Sequence, residues 1–224
     1  MNKPARKTEW LVWGGLVLII ATIGGAFAWT RLSTATKPLP VIGQISNFSL
    51  TNQNSTPVSL ADLRGQVCVA DIIFTRCPGP CTKMTRALAQ LQAALPPGQP
   101  VRLVSLTSDP EFDTPAKLKE YASKFGADSN RWWFLTGKKS DLRSLAVNDF
   151  KFVMLDKKPE DREVPEDLFI HSTWFVLLDR QGRLRGWTDR EGKLHAYFDL
   201  DDSDVQEQIL TALKQLLREP ISTP

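Results

Sequence analysis

Two cysteines that stand four positions apart are the residues best suited to chemistry in this sequence. Cys77 and Cys81 follow an apolar, β-prone run from Val67 to Phe74, and apolar residues recur at helical spacing after Cys81. The pattern predicts a strand that ends in a short turn, with Cys81 at or near the start of a helix. Backbone N–H groups and the positive end of a helix lower a thiol pKa at such a junction and favour the thiolate.

A thiolate attacks disulfides and also binds soft metals, so the pair is competent for both kinds of chemistry. Positions i and i+4 on a helical turn differ in rise by roughly 6 Å, which a disulfide tolerates between its Cα atoms. The same spacing lets the sulfur atoms of Cys77 and Cys81 reach one metal ion. With one imidazole they form a set of two sulfurs and one nitrogen, which suits copper or zinc rather than magnesium or calcium.

The sequence has two histidines that could complete such a set. His171 stands between a charged stretch and an apolar strand, where a side chain can emerge at the end of a sheet. His195 lies in a polar stretch with nothing that directs it toward the cysteines. An isolated histidine is more often solvated or hydrogen-bonded than a ligand, so the residue types alone leave the choice open.

The other reactive side chains have simpler interpretations. Cys68 lies in the middle of the apolar strand and is a buried small hydrophobe without a function, and Met84 and Met154 fit core positions. Asp71, inside the same strand, has two interpretations of equal weight. It is either a buried acid with a raised pKa that can carry a proton for Cys81, or a strand-edge residue with local hydrogen bonds.

Two further acids follow the next apolar strand. We interpret Asp109 and Asp113 as turn and capping residues, because Thr114 or Asp113 can cap a helix whose first residue is Pro115. We interpret Trp132-Trp133 as half core and half docking surface, and the sequence does not separate the two roles.

The chain begins with a basic stretch and an apolar run. The segment from Trp10 to Trp29 has no charged residue and is long enough to cross a bilayer, with a tryptophan near each end. The basic residues that precede it, Lys3, Arg6 and Lys7, predict a cytoplasmic N-terminus and a domain on the outer side. A signal peptide cleaved after Ala28 is the alternative, but the run is longer than a typical signal.

These features predict a cytoplasmic stretch 1–9, a transmembrane helix 10–29, a linker 30–40 and one domain from 41 to 224. The length of 224 residues allows one sizeable core, and the net charge of +3 is too small to indicate nucleic-acid binding. Strands and helices alternate, and a hairpin and a closing helix follow. We therefore predict an α/β fold with a mixed central sheet flanked by helices, thioredoxin-like because of its cysteine junction. The charged stretch from Asp156 to Asp167 is predicted to be a long solvated loop, and loops of that length in a compact domain are usually functional or disordered.

Three motifs, in this order, resemble the SCO/SenC family of copper proteins. The first is Phe74-Thr75-Arg76-Cys77-Pro78-x-x-Cys81, and the second is Asp109-Pro110-x-x-Asp113-Thr114. The third is His171-Ser172 ahead of Val176-Leu177-Leu178-Asp179-x-x-Gly182. The resemblance runs from about Val41 to Leu217 and includes the N-terminal anchor.

The resemblance implies a thioredoxin-like fold and copper, as Cu(I) or Cu(II), bound by Cys77, Cys81 and His171. It implies a metallochaperone that delivers copper to, or matures, the CuA centre of cytochrome c oxidase subunit II. Another copper chaperone or a thiol reductase would be a further partner. The protein would be a single-pass protein of a bacterial inner membrane, with its domain on the periplasmic side.

The sequence departs from the family pattern at two positions. Thr82 stands where the family often has proline, which alters the turn but removes no ligand. Ile170 stands where many members have an acid, so the carboxylate that would orient the imidazole of His171 is missing or supplied from elsewhere.

A thiol–disulfide oxidoreductase is the alternative function. Cys77 would attack, Cys81 would resolve the mixed disulfide, and Asp71 would move the proton. The three-residue spacer between the cysteines differs from the two-residue spacer of ordinary thioredoxin-type reductases. A purely structural disulfide is disfavoured by the two prolines and the glycine between the cysteines.

Overall fold

The structure is a computed structural model that describes residues 5–33, 38–189 and 191–220. The chain divides into two compact units, residues 1–37 and 38–224. In the first unit, helix α1 covers Ala5–Ser33, so it includes the segment predicted to be a transmembrane helix and the first residues of the predicted linker. Residues 1–4 and 34–37 lie outside the described residues. Among the described residues, no helix has both the length and the apolar character that a membrane crossing requires.

The described residues of the second unit form a main sheet of nine strands. The strands described in this unit are β1 Val41–Gln44, β2 Ser49–Asn52, β3 Pro57–Ser59, β4 Val67–Ile73, β5 Val101–Thr107, β6 Trp132–Thr136, β7 Met154–Asp156, β8 Phe169–His171, β9 Trp174–Leu178, β10 Arg183–Arg185, β11 Trp187–Thr188, β12 Leu194–His195 and β13 Phe198–Asp199. The described helices are α2 Leu60–Leu63, α3 Cys81–Ala94, α4 Pro115–Lys124, α5 Lys139–Arg143 and α6 Val205–Arg218, with a π-helix at Ser144–Asp149 and a 3₁₀ turn at Pro159–Asp161.

The sheet has the strand order β1-β10-β9-β4-β5-β6-β2-β3, and β13 pairs with β9. Strands β4, β5 and β6 run parallel, while β9 lies antiparallel to β4 on its other side. Strand β4 is therefore central, and each of its seven residues is buried. Two small ribbons, β7–β8 and β11–β12, lie outside the main sheet.

Hydrophobic cores cover both faces of the sheet. On one face, helices α3, α4 and α6 pack against the odd-numbered apolar residues of β4. On the other face, helices α2 and α5 pack against the even-numbered residues, which include Cys68. This arrangement confirms the predicted mixed sheet flanked by helices. The alternation of side chains along β4 also places Cys68 on the face opposite that of Cys81.

The predicted elements near the cysteines agree closely with the structure, and those near the histidine agree less well. Strand β7 begins at Met154, and Lys151, three residues earlier, has φ 63°, outside the extended region. The stretch from Asp156 to Asp167 joins β7 to β8 and contains the 3₁₀ turn. The ribbon that carries His171 is therefore held by its own short ladder rather than by the main sheet.

Candidate metal centre

Three elements carry the predicted ligand residues to one place. Cys77 lies in the turn after β4, Cys81 is the first residue of α3, and His171 is the last residue of β8. The backbone N–H of Cys77 donates to the carbonyl of Phe74 at 3.2 Å, which closes the turn. Cys81 begins the helix as predicted, since Pro80 at the N-cap cannot donate a hydrogen bond and suits a helix start.

The donor atoms of these residues converge. The Nε2 atom of His171 lies 3.2 Å from Sγ of Cys81 and 3.9 Å from Sγ of Cys77. All three donor atoms lie within 4.8 Å of one another, and both cysteines are free thiols. Zinc sites have bonds of ~2.3 Å to sulfur and ~2.0 Å to nitrogen, so donor atoms that share one ion lie roughly 3.5–4 Å apart. The three side chains therefore fit a small, soft metal ion with little movement.

The two thiols are electrostatically unequal. Hydrogen bonding from Cys81 lowers the pKa of Cys77 to about 4, against the opposing effect of partial burial, and His171 and the N–H of Gly79 add to the lowering. Burial raises the pKa of Cys81 well above its ordinary value, and the neighbouring Cys77 raises it further. The dithiol therefore holds one thiolate, at Cys77, and one proton, at Cys81. Cys77 is half-buried and Cys81 is fully buried, so the thiolate is also the more accessible sulfur.

The imidazole is oriented by a backbone group. Nδ1 of His171 lies 3.0 Å from the carbonyl oxygen of Ser172, and because a carbonyl only accepts, Nδ1 carries the proton. Nε2 is thereby left to face the sulfur atoms. The ring of Phe74 packs edge-on against the imidazole at 5.6 Å between centroids. The carbonyl of Ser172 thus does what an acid at position 170 would do, and Ile170 leaves no gap in the site.

Asp109 and Asp113 do more than was predicted from the sequence. The carboxylate of Asp109 receives Nε and Nη2 of Arg76 at 2.8 Å each, and that of Asp113 receives the backbone N–H of Thr75 at 3.1 Å. The cap of α4 is Thr114, whose hydroxyl accepts from the N–H of Lys117 at 3.4 Å. The predicted turn is present and Thr114 is the cap, but the two carboxylates also hold the turn before Cys77, which the sequence analysis did not predict. Local sequence could not reveal it, because both contacts cross between separate elements.

Asp71 is a buried acid without a hydrogen-bond partner. It lies on the central strand β4, on the face of the sheet that packs against α3, and it is 0% exposed. Neither carboxylate oxygen has a hydrogen bond among the described residues. Burial raises the pKa of Asp71 to about 7, although Ser105 and His171 act in the opposite direction. The strand-edge interpretation of Asp71 is therefore wrong. The burial and the raised pKa of the other interpretation are confirmed, and the role of Asp71 as a proton carrier for Cys81 stays a prediction.

The remaining candidate residues lie elsewhere. Nε2 of His195 lies 2.8 Å from Oδ2 of Asp189, and its ring stacks on Trp187, so His195 is not in the site. Met84 and Met154 are buried in the two cores, as predicted. Of the tryptophan pair, Trp132 is fully buried and Trp133 is partly exposed.

Comparison with known proteins places these features in one family. A family model described as SCO1/SenC matches residues 41–199. The SCO1 protein homolog of Bacillus subtilis is 35% identical over 169 residues, which cover 75% of this chain and 83% of that protein. A protein of Stutzerimonas stutzeri to which copper binding has been ascribed is 32% identical over 153 residues, covering 66% of this chain and 70% of the relative.

A solved structure supports the same relationship. BsSco, a member of the Sco family of cytochrome c oxidase assembly proteins in which a disulfide switch was identified, superposes with a TM-score of 0.61. It is 26% identical, and the match covers 82% of this chain and all of BsSco.

Proposed function

Because the chain belongs to the SCO1/SenC family, we propose that it binds copper through Cys77, Cys81 and His171 and delivers it to the CuA centre of cytochrome c oxidase subunit II. The observation that carries this proposal is the convergence of two sulfur atoms and one imidazole nitrogen within 4.8 Å. Thiolate and imidazole together favour copper or zinc over hard cations. Copper is here the cargo of the protein, and the family relationship favours copper over zinc.

The site suits transfer as well as binding. Three protein donors leave a coordination position open, and an open position admits the ligand of a partner, whereas four fixed ligands would close the site. The partly exposed Cys77 is already a thiolate at neutral pH, so it can bind the metal without first losing a proton. Cys81 must lose its proton when copper binds, and the proximity of the positive ion favours that loss.

We infer the partner and the location from the relatives and from the N-terminal sequence. BsSco belongs to a family of oxidase assembly proteins, which supports an oxidase subunit as the recipient, and a second copper chaperone or a thiol reductase would load or reduce the site. The uncharged run from Trp10 to Trp29, preceded by basic residues, supports a membrane tether. In this proposal residues 1–9 are cytoplasmic, 30–40 form a linker, and the domain from 41 onward lies in the periplasm.

An anaerobic Cu(I) titration of the reduced chain against a competing chelator tests the copper function. We expect one tightly bound copper per chain, and loss of that binding in the double variant Cys77→Ser/Cys81→Ser. Weak binding by the parent chain with both thiols intact would refute the proposal, as would tight binding that survives in the double variant.

Thiol–disulfide exchange is a second candidate, favoured by the unequal thiols and by Asp71. The Cys77 thiolate would attack a partner disulfide, forming a mixed disulfide and releasing one partner thiolate. Cys81 would then lose its proton and displace the second partner thiolate, which forms the Cys77–Cys81 disulfide and leaves the partner reduced. Asp71 is a buried group that can take the proton of Cys81 when it is ionised. The disulfide switch identified in BsSco supports a redox role for this dithiol.

Two variants separate this candidate from copper binding. Asp71→Asn should slow formation of the Cys77–Cys81 disulfide by oxidised glutathione, because the buried proton acceptor is lost, while His171→Ala should leave disulfide formation intact. An unchanged rate in Asp71→Asn would remove Asp71 from the reaction.

A further inference from the structure

Asp113, two residues before α4, is hydrogen-bonded to the turn that precedes Cys77. Asp113 is 0% exposed, and its carboxylate accepts hydrogen bonds from three donors. The backbone N–H of Thr75 donates to Oδ2 at 3.1 Å, the hydroxyl of Thr107 donates to the same oxygen at 2.5 Å, and the hydroxyl of Thr75 donates to Oδ1. A buried carboxylate with three donors is a strong anchor, because charge-assisted hydrogen bonds are the stronger kind.

The next residue of the turn is held by the same loop. Arg76 places Nε and Nη2 at 2.8 Å from Oδ2 of Asp109, and its guanidinium carbon lies 4.3 Å above the ring of Phe112. Asp109 is itself held, because its backbone N–H donates to the hydroxyl of Thr107 at 2.9 Å. The loop after β5 thus holds both residues that lead into Cys77.

The contacts of Asp113 and Asp109 with the turn matter because the backbones of the three donor residues are not held equally well by their own secondary structure. Cys81 belongs to helix α3 and His171 to strand β8, so regular hydrogen bonding fixes the backbone of each. Cys77 lies in an irregular turn whose local bonds are the one from its N–H to Phe74 at 3.2 Å and the one from the N–H of Gly79 to its sulfur at 3.4 Å. The position of this sulfur relative to Cys81 and His171 therefore also depends on what holds the turn from outside.

We propose that Asp113 is a positioning residue for Cys77: by gripping Thr75 it sets the separation of the Cys77 sulfur from the sulfur of Cys81 and the imidazole of His171. Asp113 touches none of the three donors and acts only through the turn. The inference rests on the proposed use of this dithiol, and it holds for copper binding and for disulfide formation, since both require the two sulfurs at a defined distance.

Two substitutions at this position discriminate positioning from a general contribution to stability. Asp113→Ala removes all three acceptor contacts. Asp113→Asn retains an oxygen for the N–H of Thr75 and the hydroxyl of Thr107, and the hydroxyl of Thr75 can rotate to accept from the new amide. The matched control is Asp179→Ala, which removes a buried carboxylate that pairs with Arg183 and Arg185 far along the chain from the cysteines.

For each full-length variant the experiment measures the Cu(I) affinity, the reduction potential of the Cys77–Cys81 pair in glutathione buffers, and the midpoint of thermal unfolding. In Asp113→Ala we expect the copper affinity to fall by about tenfold to a hundredfold, as for other residues that orient a ligand, and the potential to shift. Asp113→Asn should restore most of both values. Asp179→Ala should lower the unfolding midpoint while leaving affinity and potential near those of the parent.

Unchanged affinity and potential in Asp113→Ala would overturn the proposal, and so would equal losses in Asp113→Ala and Asp179→Ala. If Asp113→Ala does not fold, Thr75→Val is the substitute, because it removes the hydroxyl of Thr75 that donates to Asp113. A copper affinity and a reduction potential equal to those of the parent in that variant would then overturn the proposal. If the parent chain binds no copper, the proposed copper function fails, but the reduction potential still decides whether Asp113 positions Cys77.

Discussion

The Nε2 atom of His171 lies 3.2 Å from the Sγ atom of Cys81, although 90 positions separate the two residues in the chain. The contact joins the small β7–β8 ribbon to the first residue of helix α3. Because Cys77 approaches the same nitrogen to 3.9 Å, the three donor atoms lie close enough together to share one ion.

The two histidines provide a matched pair of variants. His171→Ala should lower the Cu(I) affinity of the chain by at least about a hundredfold, because it removes one of three donors, whereas His195→Ala should leave it unchanged. His195 is paired with Asp189 and stacked on Trp187, away from the sulfurs. Competition titrations on both variants measure the effect. Equal affinities in the two variants would show that His171 is not a ligand.

The low pKa of Cys77 predicts unusual reactivity in the reduced, metal-free chain. Since the pKa is about 4, the thiolate is present throughout the neutral range, and we expect its alkylation rate to be nearly constant from about pH 6 to 8. The alkylation rate of an ordinary thiol, with a pKa of about 8.5, would instead fall roughly tenfold for each unit by which the pH is lowered in that range. Mass spectrometry after iodoacetamide treatment follows each cysteine separately.

The variant Cys81→Ala tests the cause of that low pKa. Hydrogen bonding from Cys81 is the largest contribution, so its removal should raise the midpoint of the Cys77 alkylation profile toward that of an ordinary thiol. A profile that does not move would place the cause elsewhere, in His171 or in the N–H of Gly79.

Cys68 should be irrelevant to the site. It is 0% exposed, burial raises the pKa of its thiol to about 12, and its side chain lies on the opposite face of β4 from Cys81. Cys68→Ser should cost about 1–3 kcal/mol in the free energy of unfolding, since it buries a hydroxyl. The copper stoichiometry should remain one per chain in equilibrium titrations. A change in stoichiometry would mean that the third cysteine takes part in metal binding.

Asp71 should make stability depend on pH. Its folded-state pKa of about 7 lies above the ~3.9 of an unfolded aspartate, so between these values the folded chain binds more protons than the unfolded chain. The contribution of Asp71 to stability is therefore greatest in acid and is lost as pH rises through about 7. Asp71→Asn removes this dependence, so its stability relative to the parent should rise between about pH 4 and 7, by at most roughly 1.4 kcal/mol per pH unit, and should level off above about pH 7.

Urea unfolding of the parent and of Asp71→Asn at several pH values measures this difference. Comparing the two chains cancels the other titrating groups, which both share. A difference in the free energy of unfolding that stays constant with pH would show that Asp71 keeps an ordinary pKa in the folded chain.

The local sequence pattern was sufficient to predict the strand and the helix next to the two cysteines of the site. The apolar run that predicted a strand from Val67 to Phe74 forms β4 over Val67–Ile73, and the helix begins at Cys81. Both elements are determined by residues close together in sequence, through the alternation of apolar side chains and the spacing of helical faces. The ordered motifs also led from the sequence to His171 rather than His195.

The groups that surround and hold the three candidate donor residues were revealed only by the tertiary structure. The carbonyl of Ser172 orients the imidazole, Asp113 holds Thr75 across 38 positions, and Asp71 is buried on the central strand without a partner. Each depends on which segments pack side by side, and local composition does not specify that. The sequence by itself determined the strand-to-helix junction of the cysteines, and its ordered motifs pointed to the three candidate donor residues. Their separations and the environment of each side chain came only from the long-range packing of the sheet, the β7–β8 ribbon and the loop after β5.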